Sequence, residues 1–201
     1  MSADIRPEHR IIAQWIQPKS HVLDLGCGDG TLLSHLIGTK SVTGYGVDVD
    51  THAVNNCLEK AVPVIHADFD KGLDLFPSDG FDAAIMTSTL QASRDSGALL
   101  DEMFRVAKKV VVTFPNFGHW TTRVYLGLRG RMPMSSALPH MWYNTPNIHL
   151  CTFDDFEELC REKRISIIDR TVINTRYEDN VLMRLWPNLF GEIAIYHLER
   201  S

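Results

Sequence analysis

The sequence predicts a doubly wound α/β fold: a mostly parallel seven-stranded sheet with helices on both faces and an antiparallel hairpin at its C-terminal edge. Three observations predict it. Short apolar runs rich in β-branched residues alternate with helix-period segments for over a hundred residues, which is the pattern of a parallel sheet wrapped by crossover helices. A glycine-rich loop, "GCGDG" at 26–30, follows the first of those runs, at the end of the sheet where such folds bind ligands. Two further strand-like runs come late, after a long irregular stretch.

The elements follow in order. "PEHRIIAQWI" places Ile11, Ile12, Trp15 and Ile16 on one helical face, with Pro7 suited to a first turn. "HVLDL" is a short buried strand, and "TLLSHLI" a helix opened by the glycine loop. "VTGYGVDVD" is a second strand, "THAVNNCLEKA" a helix and "VPVIHAD" a third strand. After the turn signal "PSDG" comes a fourth strand, "FDAAIMTST". The helix "GALLDEMFRVA" carries Leu99, Leu100, Met103 and Phe104 on one stripe, and "KVVVTF" is a fifth strand buried on both faces. Regular structure then lapses across 115–151, apart from a short helix at "WTTRVYLGL". A connection of that length is a functional insertion rather than a plain link. "TFDDFEELCREK" restarts helix, with Thr152 and Asp155 spaced for a capping box. "ISIIDRTVI" and "EIAIYHL" are the edge strands, with a helical stretch "YEDNVLMRLW" between them.

A chain of 201 residues, 44% hydrophobic and 22% charged, fits one globular domain over 1–201 with the insertion between the fifth strand and the next helix. No apolar run of about 18 residues is present to span a bilayer, and the charged start "MSADIRPEHR" lacks a signal-peptide core. The cysteines (Cys27, Cys57, Cys151, Cys160) form no C-x-x-C pair and fit no metal site, so a reduced, cytoplasmic, metal-free protein is expected. A net charge of −5 argues against nucleic acid as a general partner.

The loop separates two classes of ligand. A dinucleotide fingerprint needs a third glycine where Thr31 stands, since Gly30 falls one residue early after Gly26 and Gly28. Asp24 and Asp29 also flank the space a pyrophosphate would fill. Like charges about 4 Å apart at a protein surface cost several kcal/mol. A cationic adenosyl ligand, S-adenosylmethionine with its ammonium and sulfonium, suits the loop better than NAD, and its product S-adenosylhomocysteine, which keeps the ammonium, is expected at the same site. Asp48 ends the second strand about 20 residues on, placed to bond ribose hydroxyls, and Asp68 ends the third, within reach of an adenine edge. This arrangement resembles the class I S-adenosylmethionine-dependent methyltransferases. The resemblance assigns the methionine end to Asp24 and the loop (Gly26, Cys27, Gly28, Gly30), and the ribose to Asp48 with Val49. It gives the adenine to Asp68 with Phe69, and its flank near the sulfonium to the segment starting at Met86. Cys27 is itself a small apolar filler, with nothing basic beside it to activate the thiol.

No committed catalytic base is visible. His119, His140 and His149 lie in or beside the insertion, with His119 and His149 the candidates for proton uptake. The amino-methyltransferase tetrapeptide "NPPY" is replaced by "TSTL" after the fourth strand, which turns the expectation away from bases and amides. No G-x-S-x-G elbow supports a serine triad. The insertion is distinctive in another way. No acidic residue occurs between Glu102 and Asp154, whereas Arg105, Lys108, Lys109, Arg123, Arg129 and Arg131 do, interleaved with aromatic residues. Phe117, His119, Trp120, Arg123, Arg131, Trp142, Tyr143 and Asn144 thus form a candidate partner or substrate surface. Arg123 or Arg131 would clamp the carboxylate of an anionic substrate.

"VLDLGCGDG", "TFPNFGHW", "GRMP" and "WYNTPNIHLCTFDDFEELC" together resemble the methionine biosynthesis protein MetW family over about 11–198. That resemblance implies a role beside a homoserine O-acyltransferase, MetX, with the methyltransferase fold supporting the partner's activity. The other expectation is a methyltransferase acting on a small molecule, with the insertion as lid.

Overall fold

The computed structural model describes residues 5–174 and 181–200. Its strands are β1 (His21–Leu25), β2 (Thr43–Asp48), β3 (Val64–His66), β4 (Phe81–Thr87), β5 (Ala107–Pro115), β6 (Ile165–Ile173) and β7 (Ile193–Arg200). Its helices are α1 (Pro7–Trp15), α2 (Thr31–Lys40), α3 (Thr51–Glu59), α4 (Ser96–Val106), α5 (Trp120–Arg129), α6 (Phe153–Glu162), α7 (Val181–Leu185) and α8 (Pro187–Phe190). The strands form one sheet in the order β3-β2-β1-β4-β5-β7-β6. β1 to β5 pair in parallel, and β7 runs antiparallel between β5 and β6. The two late strands do form an antiparallel pair, with β6 outermost and β7 tied to both neighbours. Of "YEDNVLMRLW", the first four residues lie outside the described residues and the rest contains α7.

Local chemistry explains most boundaries. Pro7 opens α1 where its missing N–H costs nothing. Asp50 and Asp95 cap α3 and α4 by accepting from the His52 and Ala98 amides. Thr152 and Asp155 form the reciprocal capping box of α6. β3 is shorter than the run "VPVIHAD", because Pro63 has no amide to donate and the strand sits at the open edge.

Strand alternation divides the core into two layers. Leu23, Leu25, Ala84, Met86, Val110, Val112 and Phe114 face the layer filled by α4 and α6. Val22, Ala83, Ile85, Val111 and Ile195 face the layer filled by α1, α2 and Cys57 of α3. Asp24 shares the parity of Val22, so its carboxylate emerges on the α1–α2 side. Strand order reverses between β1 and β4, and the loops after β1, β2, β3 and β4 converge at that point. Among the described residues no helix is long and apolar enough to cross a membrane.

Phe156 is a keystone of the α6 side. Its ring lies 4.9 Å from Phe114 and 4.8 Å from Tyr196, joining helix to the two central antiparallel strands. Phe156→Ala is expected to destabilise the fold by about 3–5 kcal/mol, read as a lower urea midpoint at unchanged slope.

Candidate functional site

The glycine loop is built by three backbone turns that side chains resist. Gly26, Gly28 and Gly30 all have positive φ, at 70°, 55° and 71°. The Gly26 amide donates to the Val47 carbonyl at 2.8 Å, which lays the loop across the end of β2. The glycines differ in what surrounds them. A Cβ on Gly26 would strike Thr89 Oγ1 at 2.5 Å and one on Gly30 the Cys57 sulfur at 2.8 Å, whereas one on Gly28 would meet nothing within 4 Å. Gly26 and Gly30 therefore serve packing, and Gly28 presents bare backbone to open space.

Asp48 braces that exposed turn. One carboxylate oxygen accepts from the Gly28 amide at 2.8 Å and the other from the Asp50 amide at 2.9 Å. Each keeps a further lone pair for a donor from outside. Asp24 is the opposite case. It is only 1% exposed, and its Oδ1 has no hydrogen-bond partner. Burial, then the nearby Asp48 carboxylate, raise its pKa to about 7, against the pull of Arg6.

The structure changes one part of the charge argument. Asp29 does not stand opposite Asp24 as a free carboxylate. Lys60 holds it at 2.6 Å, and Thr31 donates to it from both amide and hydroxyl. Burial pushes its carboxyl up, but these hydrogen bonds outweigh it and bring the pKa down to about 2. The second carboxylate acting on Asp24 is Asp48. Two acids still face this end of the sheet, contributed by β1 and β2 rather than by β1 and the loop.

The remaining predicted residues line up along the same edge. Val49 is exposed at the end of β2, an apolar side chain on the lip beside Asp48. Asp68 follows β3 and caps the 3-10 turn Phe69–Lys71 by accepting from the Asp70 amide, while Phe69 packs partly into the core. Met86 is wholly enclosed in the core, so this segment meets solvent through Thr87 and Ser88. Ser88 holds a left-handed φ of 52°, pinned by Thr113, whose carbonyl and hydroxyl both accept from its amide. Cys27 lies in the α1–α2 core layer with its sulfur 3.8 Å from that of Cys57. Burial pushes both thiols up, which fits a packing role.

The insertion differs from the loop residues in character, and its end returns to the segment after β4, where the Ile148 and His149 amides donate to the Gln91 carbonyl. α5 buries only Thr122, and it exposes Trp120, Val124, Tyr125, Leu126 and Leu128, the last at 83%. Met132, Met134, Met141, Trp142 (73% exposed) and Tyr143 extend this apolar surface, and Asn144 closes a turn by accepting from the Met141 amide. Phe117 borders a pocket of about 150 Å³ with Leu138, His140 and Trp142. The basic run does not stay together. Arg105 is bound to Glu102 and to the Phe76 and Leu73 carbonyls. Lys108 and Lys109 sit at the start of β5, about 20–25 Å of strand from the insertion. Arg123 donates to the carbonyls of Gly118 and Asn188, which removes it as a ready carboxylate clamp and leaves Arg131 exposed. His119 precedes α5, 2.7 Å from the Thr121 hydroxyl, and burial lowers its pKa. His149 is exposed and bonds the Arg94 carbonyl at 3.2 Å.

Sequence reasoning passed over Glu8 and His9, which the structure buries on the α1–α2 side. The signal was present: positions 8, 9, 12, 13 and 16 form one helical stripe, so these polar residues share the face of Ile12, Ala13 and Ile16.

Comparison with known proteins agrees with this architecture. The family model described as "Methionine biosynthesis protein MetW" matches residues 6–198. A bifunctional methionine biosynthesis protein MetXA/MetW from Rhodopirellula baltica is 30% identical over 199 residues, covering 94% of this chain and 32% of its own. The mitochondrial arginine-hydroxylase NDUFAF5 of Rattus norvegicus is 30% identical over 88 residues, covering 43% of this chain and 25% of its own. The chain thus spans about a third of the first relative and a quarter of the second. Among solved structures, a possible histamine N-methyltransferase from Thermotoga maritima aligns with a TM-score of 0.66 at 15% identity, covering 97% of this chain and 88% of that one. Magnesium protoporphyrin IX methyltransferase from Synechocystis, with S-adenosylhomocysteine bound, aligns at 0.63 and 19%, covering 96% and 80%. The [4+2]-cyclase SpnF aligns at 0.67 and 15%, covering 96% and 80%. The fold is that of the class I S-adenosylmethionine-dependent methyltransferases. The chain belongs to the MetW family of methionine biosynthesis proteins.

Asp24 makes a prediction that needs no ligand. Its folded pKa lies above the ordinary 3.8, so its proton stabilises the fold below about pH 4, and that contribution is lost as pH rises through about 7. Asp24→Asn escapes the loss. Its stability relative to wild type should rise between pH 4 and 7.5 by an amount on the order of a few kcal/mol, then level off, in denaturant melts across that range.

Proposed function

We propose that this MetW-family chain binds S-adenosylmethionine or S-adenosylhomocysteine at the glycine loop and acts as an accessory or regulatory partner of the homoserine O-acyltransferase MetX. The loop residues suit a cationic adenosyl ligand. Gly28 leaves room for close approach, Asp48 offers free lone pairs to a ribose, and Asp24 carries a buried oxygen that lacks a donor. The exposed valine and the Asp68 turn lie along the same edge for the base. When bound, S-adenosylmethionine would supply a methyl sulfonium. The residues named would hold and orient it.

The observation that carries the partner role is the apolar surface of α5 and the stretch after it. Lone exposed apolar residues are ordinary, but a continuous array of Trp, Tyr, Leu and Met on one insertion marks an interaction site. A relative whose name joins MetXA to MetW in a single chain supports a partner of that kind. Ligand control of the partner requires different ligand affinities in the free and docked forms, and the reverse coupling then follows.

A methyltransferase acting on a small molecule is the second reading, favoured by the pocket behind Phe117, Leu138, His140 and Trp142. The fold does not decide between them, since a cyclase shares it.

The test is a homoserine acylation assay with purified MetX, with and without this protein and S-adenosylmethionine. Addition of the protein should change the acylation rate, and Gly28→Val should remove the S-adenosylmethionine dependence while docking persists. Leu128→Ser with Trp142→Ala should weaken capture of MetX by at least about 30-fold, the cost of losing interface anchors, with adenosyl-ligand affinity unchanged. Equal rates in every arm would exclude the accessory role. Release of S-adenosylhomocysteine with a metabolite acceptor would favour the second reading.

A further inference from the structure

The end of the sheet away from the glycine loop is also concave. A cavity of about 350 Å³ lies under the last turn of α1, where β4 and β5 begin and β7 ends, with Trp15, Ile16, Pro18 and Ala83 as its apolar wall. It opens beside Ser20, before β1, whereas the glycine loop follows β1. The five residues of that strand separate the two by about 17 Å.

The charges around this cavity set it apart from the rest of the surface. The protein has seven lysines. Four are engaged: Lys40 with the Ile16 carbonyl, Lys60 with Asp29, Lys71 with Asp68 and Lys163 with Asp101. The other three, Lys19, Lys108 and Lys109, all border the cavity. Among the described residues no ion pair or hydrogen bond engages their ammonium groups. Lys19 also holds a left-handed φ of 63°, a conformation glycine takes with less strain. Against the three the lining sets one carboxylate, Asp82, which already accepts from the His21 amide at 2.9 Å. Glu199 and Asp169 stand opposite Lys109 and His197 in the ladder, and neither borders the cavity.

His197 supplies the one buried polar side chain of the lining that carries a ring. It is 6% exposed and stacks on Trp15 at 5.4 Å. Among the described residues no hydrogen bond engages that ring. Burial, then the charge of Lys109, lower its pKa, so near neutrality it offers one N–H and one acceptor nitrogen without adding charge.

We propose that this cavity is a second ligand site, which takes a small organic phosphate monoester, with the phosphate among Lys19, Lys108 and Lys109 and the apolar body against Trp15 and Ile16. The charges match. Three ammonium groups and Asp82 leave two positive charges, and a phosphate monoester carries about −1.5 to −2 near neutral pH. The donor type matches too. Lysines act on phosphate as point charges, whereas a planar carboxylate is best met by an arginine fork, and no arginine borders the cavity among the described residues. The site stands independently of the adenosyl reading of the glycine loop.

The test is an amide NMR titration with phenyl phosphate, inorganic phosphate and benzoate. Phenyl phosphate should give saturable shifts at Ser20, Ala83 and Lys109 and leave Gly28 unmoved. Inorganic phosphate and benzoate should act on the same amides at least tenfold more weakly. Lys19 and Lys108 are both exposed, so the double variant Lys19→Gln with Lys108→Gln keeps the fold. It should bind phenyl phosphate at least tenfold more weakly than wild type. No saturation below about 10 mM, shifts centred on the Gly28 turn, or unchanged affinity in the double variant would overturn the site. Equal affinity for benzoate would overturn the phosphate assignment, and equal affinity for inorganic phosphate would overturn the role of the apolar wall.

Discussion

Two carboxylates at the ends of adjacent parallel strands govern the rest of the site. Asp48 spends one acceptor on each of two backbone amides, and so fixes the exposed turn at Gly28 against the end of β2. Asp24, one strand away, is buried beside it with an oxygen that nothing satisfies. A phosphate brought to this place would meet two acids, and a cation would relieve both. Strand register sets this proximity: parallel pairing places Asp24 beside Gly46, two residues before Asp48. The crowding of the two carboxyl groups is thus built into the sheet, and a loop rearrangement would not remove it.

The fold was legible because its periodicities were clean. Runs such as "KVVVTF" and the alternating strand and helix segments led to the parallel sheet, and "ISIIDRTVI" with "EIAIYHL" led to the antiparallel edge. What the sequence hid was partnership at a distance. Asp29 looked like a wall of the ligand space because it lies in the loop, yet Lys60, 31 residues on, claims it. The basic stretch from Arg105 to Arg131 looked continuous, but an extended strand carries Lys108 and Lys109 to the far end of the sheet. Arg123 looked free and is spent on backbone carbonyls. Glu8 and His9 were hidden by convention rather than by distance, since a stripe search that counts only apolar residues skips the polar ones on the same face.

The molecule separates what it holds in common with its fold from what it adds. The strand ends and the glycine loop belong to an architecture shared with methyltransferases and a cyclase. α5 and the segment up to Cys151 carry exposed aromatic and methionine side chains, and the segments that carry the family resemblance, at 113–120 and 142–160, overlap its two ends. Burying that surface against a partner would repay the exposure, and nothing in the loop requires it.

The central claim is that Asp24 waits, buried and protonated near neutrality, for a cationic donor. Its side-chain carboxyl can be followed by carbon-detected NMR titration, with and without S-adenosylhomocysteine. The account predicts a midpoint near 7 in the free protein and a clear fall once the ligand's ammonium is in place. A midpoint near the ordinary carboxyl value in the free protein, or one that the ligand does not move, would contradict it.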